Sequence, residues 1–573
     1  MPTDPNGKID KPALPFPSSE TDLALANRRP SQSYASMTET QKRVAKVWAE
    51  VLPNLTARML APESNFFEEG GHSILAQQML FKVRREWRDI DVPMSAIFQS
   101  QTLGEFASEI DRALDPTGLR LDVAPFTGYG GGEDEAYAAD ARDLVKNLPE
   151  KIPAAEAQAA GSAATVFLTG ATGFLGSYVL RELLEQKHSV VAHVRAKDEK
   201  AGLERIETIT KAYGVWSEEW RPRLSVVTGD ISKPHLGLAD ADWEHLANEV
   251  DVIVHNGAQV NWMLPYSSLR AANTLSTVEC ISLAGTGKAK KLAFVSSTST
   301  LDTDHYVQLS KESVAKGGTG VQEDDDLEGS RKGLGTGYGQ SKWASEYLVR
   351  EAGRRGLAGT VVRPGYVSGD PVSGTTITDD FLVRFWKGCL QLGARPDIGN
   401  TLNQVPVTEV ARVVVASALH PPVSPLGVAQ VTSHPRLTLN GWLGALEEYG
   451  YEVPQVSYSE WCEKLRAYVS DEGKEEHALL PLFHFVAGDL PANAIAPELD
   501  DRHAERALEG LGEGGKEADR AVSLGTVGVY IAYLVATGFL DKPGKKGGRE
   551  VPELRLSEEK LAALAKIGGR GGK

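Results

Sequence analysis

The chain has 573 residues, 41% of them hydrophobic and 24% charged, with 77 acidic against 61 basic side chains and a formal charge of −16. That length exceeds one ordinary core and implies two to four domains. The acidic balance argues against a general nucleic-acid or anionic-membrane surface. Cys280, Cys389 and Cys462 are too few and too scattered for a disulfide framework or a zinc site, and they suit a reducing, cytoplasmic setting. The N-terminus lacks an apolar signal core, and the greasiest stretch, VGVYIAYLVATGFL, is too short to span a bilayer.

Residues 1–35 are rich in Pro and Ser and read as a tail or linker. A helical rhythm follows. Thr38 and Gln41 form a capping box ahead of Val44, Val47, Trp48 and Val51 at helical spacing. A second helix is predicted from Ser73, with Leu75, Met79, Val83 and Trp87 along one side. A third follows the box Thr102–Glu105, with Phe106 and Ile110. Residues 36–115 are thus expected to be a small four-helix bundle. Residues 116–163, containing GYGGGEDE and PAAEAQAAGSAA, read as linker, with a short helix possible near 135–148.

From 164 onward, apolar strands alternate with helices: ATVFLTG, SYVLRELLEQ, SVVAHVR, RLSVVTGD, VDVIVHNGA, KLAFVSSTS and finally GTVVRPG. Such alternation predicts an α/β doubly wound parallel sheet over 164–370. Residues 371–573 turn mostly helical and are expected to form a C-terminal substrate-binding part.

Three clusters carry chemistry. TGATGFLG, with Gly170, Thr172, Gly173, Phe174, Leu175 and Gly176, joins the first strand to a helix. Glycines there permit a tight turn and close approach to a pyrophosphate at the helix N-terminus. Arg195 ends the second strand where an acidic residue would hold ribose hydroxyls, which favours NADPH over NADH; Arg205 is a weaker second candidate. Asp230 either caps a loop or touches the adenine, and Asn256, Gly257 and Ala258 lie at a strand's carboxyl edge. Tyr338 and Lys342, four apart on one helix face, form the second cluster. An adjacent ammonium lowers a phenol's pKa and makes it a usable acid, with Thr298 or Ser297 helping to hold a developing oxyanion. The third is Ser73, following two glycines and a histidine at a helix start, where an attached phosphodiester is favoured by the helix dipole.

TGATGFLG, HNGAQVNW, FVSSTST, GYGQSKWASEYL and VVRPGYVSGD together resemble the extended short-chain dehydrogenase/reductases, and more narrowly the thioester reductase domains that end some carrier-protein assembly lines. That resemblance implies a Rossmann-type domain and adds Pro364 and Gly365 to the cofactor residues. FFEEGGHSI resembles the carrier-protein motif and implies 4′-phosphopantetheine on Ser73, installed by a phosphopantetheinyl transferase. NGKIDKPALP resembles the end of an adenylation domain, with Lys8 as its motif lysine, so an excised fragment lacking that domain is expected.

The full run is similar to the fungal alpha-aminoadipate reductases. It implies NADPH-dependent release of carrier-bound aminoadipate as the 6-semialdehyde in lysine biosynthesis. The alternatives are a peptide synthetase's terminal reductase releasing a peptide aldehyde or alcohol, a nucleotide-sugar epimerase or dehydratase, and a non-catalytic docking module.

Overall fold

The computed structural model describes residues 34, 37–52, 55–66, 69, 73–87, 96–97, 100, 102–114, 136–153, 155, 162–262, 264–469, 477–488, 490–493, 495–510, 521–545 and 547–566. Two compact units are present, one built chiefly from Met1–Gly132 and one opening at Glu133.

In the small unit, helices α1 (Glu39–Val51), α2 (Ser73–Glu86) and α3 (Leu103–Leu114) are described, together with a helical pair at 96–97. The Thr38 hydroxyl accepts from Gln41 N and the Gln41 carboxamide accepts from Thr38 N, both at 3.1 Å. Thr102 and Glu105 repeat the exchange ahead of α3. These reciprocal bonds satisfy donors that a helix start leaves unpaired. The expected apolar residues Val44, Val47, Trp48, Val51, Met79, Val83, Trp87, Phe106 and Ile110 share one core, with Trp48 edge-on to Phe66 at 5.1 Å. Lys8, the Gly70–His72 turn and the glycine-rich stretch after 115 lie outside the described residues.

The large unit contains α4 (Ala136–Leu144), β1 (Thr165–Thr169), α5 (Phe174–Glu185), β2 (Ser189–Val194), α6 (Glu199–Tyr213), β3 (Leu224–Thr228), α7 (Asp240–Glu249), β4 (Val252–His255), α8 (Ser276–Gly285), β5 (Lys291–Val295), α9 (Gly337–Arg354), β6 (Gly359–Pro364), α10 (Val407–Leu419) and β7 (Leu426–Val431). Its sheet runs β7-β6-β5-β4-β1-β2-β3, every pairing parallel. Alternate residues of β1 enter two cores: Val166 and Leu168 pack with α5 and α10, Phe167 with α7, α8 and α9. Burial on both faces explains why these strands read as continuous apolar runs. The strand order reverses between β1 and β4, which opens a crevice at their carboxyl ends. Among the described residues no helix is long and apolar enough to cross a membrane.

Two sequence boundaries are corrected. Residues 136–153 are not linker: Tyr137, Ala138 and Ala141 of α4 pack with Trp343 and Tyr306, and the Tyr137 phenol donates to Ser330 O at 2.6 Å. Nor does GTVVRPG end the sheet, because 371–573 contributes β7 and α10. The signal of β7 is masked by Gln430, a buried amide in an otherwise apolar strand. Its side-chain nitrogen donates to Val321 O and Asp500 O, at 3.0 and 2.9 Å.

One charged cluster ties α9 to the sheet. Glu346 and Arg363 are both fully buried, with Oε1 2.5 Å from the guanidinium. Arg350 adds a contact at 3.0 Å, and the Ser296 hydroxyl donates to Oε2 at 2.9 Å. Burial opposes ionisation of Glu346, but Arg363 and Arg350 prevail and hold its carboxyl down at about 2. The folded pKa is depressed, so this carboxylate's contribution to stability is present above the ordinary value of 4.5 and is lost as pH falls toward 2. Removing one partner strands the other charge in the interior. Glu346→Ala should therefore destabilise the large unit by about 3–5 kcal/mol in urea unfolding followed by tryptophan fluorescence, and remove part of the wild type's stability loss in acid.

Candidate active site

The turn after β1 depends on close backbone contact at its glycines. Gly170 has φ +76°, and a methyl group there would lie 2.8 Å from Gly257 N and Cα. A methyl group on Gly176 would lie 2.0 Å from Gly170 O. Bare glycines thus let α5 start directly behind the end of β1, with Gly173 as its exposed N-cap and Thr172 and Leu175 half-buried. Phe174 is buried against Tyr178 and Tyr213. Unpaired amides at a helix start, with no side chain in front, suit a pyrophosphate.

Across the strand reversal, the Thr169 hydroxyl bridges His255 Nδ1 and Gly257 N, both at 2.9 Å. Burial pushes the His255 imidazole down to about 3, so this bridge is a neutral one. Asn256 donates to Gly170 O at 3.4 Å, and Ala258 lies half-buried beside it. Asn256, Gly257 and the glycine turn therefore form one wall.

At the outer end of the crevice Arg195 is exposed, and its carbonyl accepts from the Arg205 guanidinium at 2.6 Å. Burial opposes ionisation of Asp230, yet two bonds from Ser232, at 2.9 and 2.8 Å, and the charge of Arg195 hold its carboxyl below the ordinary value. Arg195 and Asp230 thus face the same space. A guanidinium with its own carbonyl pinned fits an anionic group at that end. The crevice as a whole fits a phosphorylated dinucleotide.

At the inner end, β5 delivers Ser297 and Thr298. The Ser297 hydroxyl caps the turn Thr298–Leu301, accepting from Ser299 N at 3.1 Å, and lies near enough to the Tyr338 phenol to favour its ionised form. Of the two candidate hydroxyls, Ser297 is the one that meets Tyr338. Lys342 is 3% exposed, donates to Val295 O at 2.7 Å and sits 5.9 Å from the Tyr338 ring centre. Here the sequence expectation of a lowered phenol pKa is corrected. Burial pushes Tyr338 up to about 12, only partly offset by Ser297, and pushes Lys342 down to about 7. Desolvation dominates because the Lys342 ammonium turns to the Val295 carbonyl and not to the phenol. At neutral pH Tyr338 carries its proton and can give it.

One strand further on, Pro364 ends β6 and Gly365 follows it, both buried. Sequence reasoning missed Asn273. It occupies a one-turn π-helix (Ala271–Leu275), accepts from Gln259 N at 2.7 Å and donates to the Ser341 hydroxyl at 2.9 Å. It pins the loop after β4 to the Tyr338 helix, and no local motif announces it. Glu346 was also missed, although its position four residues beyond Lys342 puts it on the same helix face as Tyr338 and Lys342. Trp262, at the end of the β4 loop, lies against Tyr366, Phe381 and Phe485 at centroid distances of 6.2, 6.0 and 5.7 Å. These rings make an apolar wall beside the crevice.

Known proteins resemble this arrangement closely. The family model described as "Male sterility protein" matches residues 168–414, and "Phosphopantetheine attachment site" matches 42–110. The L-2-aminoadipate reductase large subunit of Penicillium chrysogenum is 52% identical over 100% of this chain, and the match covers 41% of that protein. The chain therefore spans about two-fifths of the length of that relative. The solved terminal R domain of the myxalamid PKS-NRPS pathway is 32% identical with a TM-score of 0.61, covering 70% of this chain and 100% of that domain. An archaeal thiolation-reductase di-domain, 18% identical with a TM-score of 0.62, shares the fold over 88% of this chain and 98% of its own. Matched across the whole of the myxalamid domain, the chain belongs to the family of terminal reductase domains, here preceded by a phosphopantetheine-attachment domain.

Proposed function

We propose that this chain carries 4′-phosphopantetheine on Ser73 and reduces the acyl thioester borne by that arm to an aldehyde, with NADPH as reductant. The observation that carries the reading is the Ser297–Tyr338 pair at the inner end of a dinucleotide crevice, in a chain that also contains a carrier domain. Relatives named L-2-aminoadipate reductase support L-2-aminoadipate as cargo and 2-aminoadipate 6-semialdehyde as product, within lysine biosynthesis. An adenylation domain that loads the cargo and a phosphopantetheinyl transferase are the implied partners. The buried, unpaired cysteines accord with a cytoplasmic setting.

When bound, NADPH supplies a hydride. Gly170, Thr172, Gly173 and Gly176 offer backbone to its pyrophosphate, Arg195 takes a 2′-phosphate, and Lys342 is the residue for its nicotinamide ribose. Tyr338 donates its proton to the thioester carbonyl oxygen, and Ser297 holds that phenol in line. Overall, one thioester, one NADPH and one proton give one aldehyde, one free thiol and one NADP+. No protein nucleophile is needed, because the cargo arrives already activated as a thioester. Carrying the arm on the same chain raises the local concentration of cargo.

Four outcomes test this reading. Tyr338→Phe should lower thioester reduction about 100-fold or more with NADPH affinity retained, and Ser297→Ala should cost more than Thr298→Ala, as read by NADPH oxidation. Gly176→Ala should raise the Kd for NADPH at least about tenfold in a fluorescence titration, since the added methyl drives α5 off the strand end. Treated with transferase and coenzyme A, Ser73→Ala should fail to gain the mass of the arm. A mutant that still gains it removes Ser73 from the mechanism.

A further inference from the structure

Buried polar groups in a folded protein are almost always hydrogen-bonded, so orphans that cluster call for an explanation. Two adjacent residues, Asn403 and Gln404, are 7% and 1% exposed and together leave three atoms unpartnered among the described residues: Asn403 Nδ2, Gln404 Nε2 and Gln404 Oε1. The orientation of Asn403 is fixed. Its Oδ1 accepts from Ser433 N at 3.1 Å and from the Thr432 hydroxyl at 2.9 Å, so Nδ2 must point the other way. Asn403 packs against Gly365, where a methyl group would meet its backbone oxygen at 2.6 Å and both Cγ and Nδ2 at 2.7 Å. Gly365 directly follows β6, at the carboxyl edge where open parallel sheets bind ligands.

Gln404 aims at the same region. The strand Gln404–Pro406 pairs in parallel with Tyr366–Ser368, Gln404 opposite Tyr366 and Val405 opposite Val367. Val405 and Val367 face the apolar core, so Gln404 and Tyr366 share the other face. On that face Tyr366 meets Trp262 at the end of the β4 loop. A stretch of apolar wall therefore ends in two carboxamides whose donors and one acceptor are unspent.

We propose that Asn403 and Gln404 form a subsite for the α-amino-carboxylate end of the acyl chain; this rests on the thioester reductase reading. Asn403 Nδ2 and Gln404 Nε2 donate to the carboxylate, and Gln404 Oε1 accepts from the ammonium. The methylenes between lie along Trp262 and Tyr366. β5 and β6 stay paired up to the site, Ser296 N donating to Val362 O, and a six-carbon acyl chain reaches about 6 Å from thioester carbon to far carboxylate. In the absence of a ligand, uncharged amides cost far less to leave buried and unpaired than charged side chains would. An acyl chain lacking the polar end leaves both amides orphaned, which is how such sites reject analogues.

The test uses the full chain with soluble pantetheine thioesters of aminoadipate and of hexanoate, following NADPH oxidation. The wild type should favour aminoadipyl over hexanoyl in kcat/KM, and Gln404→Leu should cut that preference at least about tenfold. The same variant should raise Tm, because it removes two buried atoms that lack partners. An unchanged preference overturns the subsite, as does a fall in Tm with both thioesters slowed equally. Wild-type protein that reduces both thioesters without preference overturns the subsite alone. Wild-type protein that reduces neither overturns the reductase reading beneath it as well.

Discussion

Helix α9 carries Tyr338, Lys342 and Glu346 at successive fourfold spacings, so all three lie on one face. The last of them is locked, through Arg363, to β6 and, through the Ser296 hydroxyl, to the end of β5. Ser296 and Ser297, just past the end of β5, both meet this helix, the first at Glu346 and the second near Tyr338. A slip of the helix by one residue would break the ion pair and carry Tyr338 off Ser297 together. Buried ion pairs contribute little net stability compared with apolar packing; their best-attested use is fixing a register. That is the role the geometry gives this one.

The same burial sets the site's proton chemistry. Tyr338 and Lys342 are both pushed toward their uncharged forms, at about 12 and about 7. His255, on the floor of the crevice, is held neutral and bridges the hydroxyls of Thr169 and Ser276. At neutral pH the inner end of the crevice thus presents a protonated phenol. Of these groups Lys342 alone lies near its switching point at neutral pH, so the charge of a bound dinucleotide would act chiefly on it.

Much of this was legible from residues alone. Both capping boxes, the helix start at Ser73, the strand–glycine–helix unit and the Tyr338–Lys342 pair are local patterns, and local sequence is where turn and helix chemistry is written. What escaped was long-range. Strand β7 hides behind Gln430, whose partners lie at Val321 and Asp500. The short helix at 135–148 was legible, but its packing was not: α4 becomes core through Tyr137, 5.3 Å from Trp343. Asn273 acts across the chain on Ser341. The direction of the Tyr338 shift also failed as a sequence inference, since spacing places an ammonium nearby but cannot say that it turns to the Val295 carbonyl.

The claim beneath all this is that hydride delivery and thioester cleavage occur together at Tyr338. A single-turnover experiment addresses it directly: protein primed on Ser73 and loaded with aminoadipate is mixed with NADPH, and cofactor absorbance and free thiol are followed together. The account predicts one NADPH oxidised for each thiol released, with aldehyde as the product. Thiol appearing without NADPH consumption would mean hydrolysis and would contradict it.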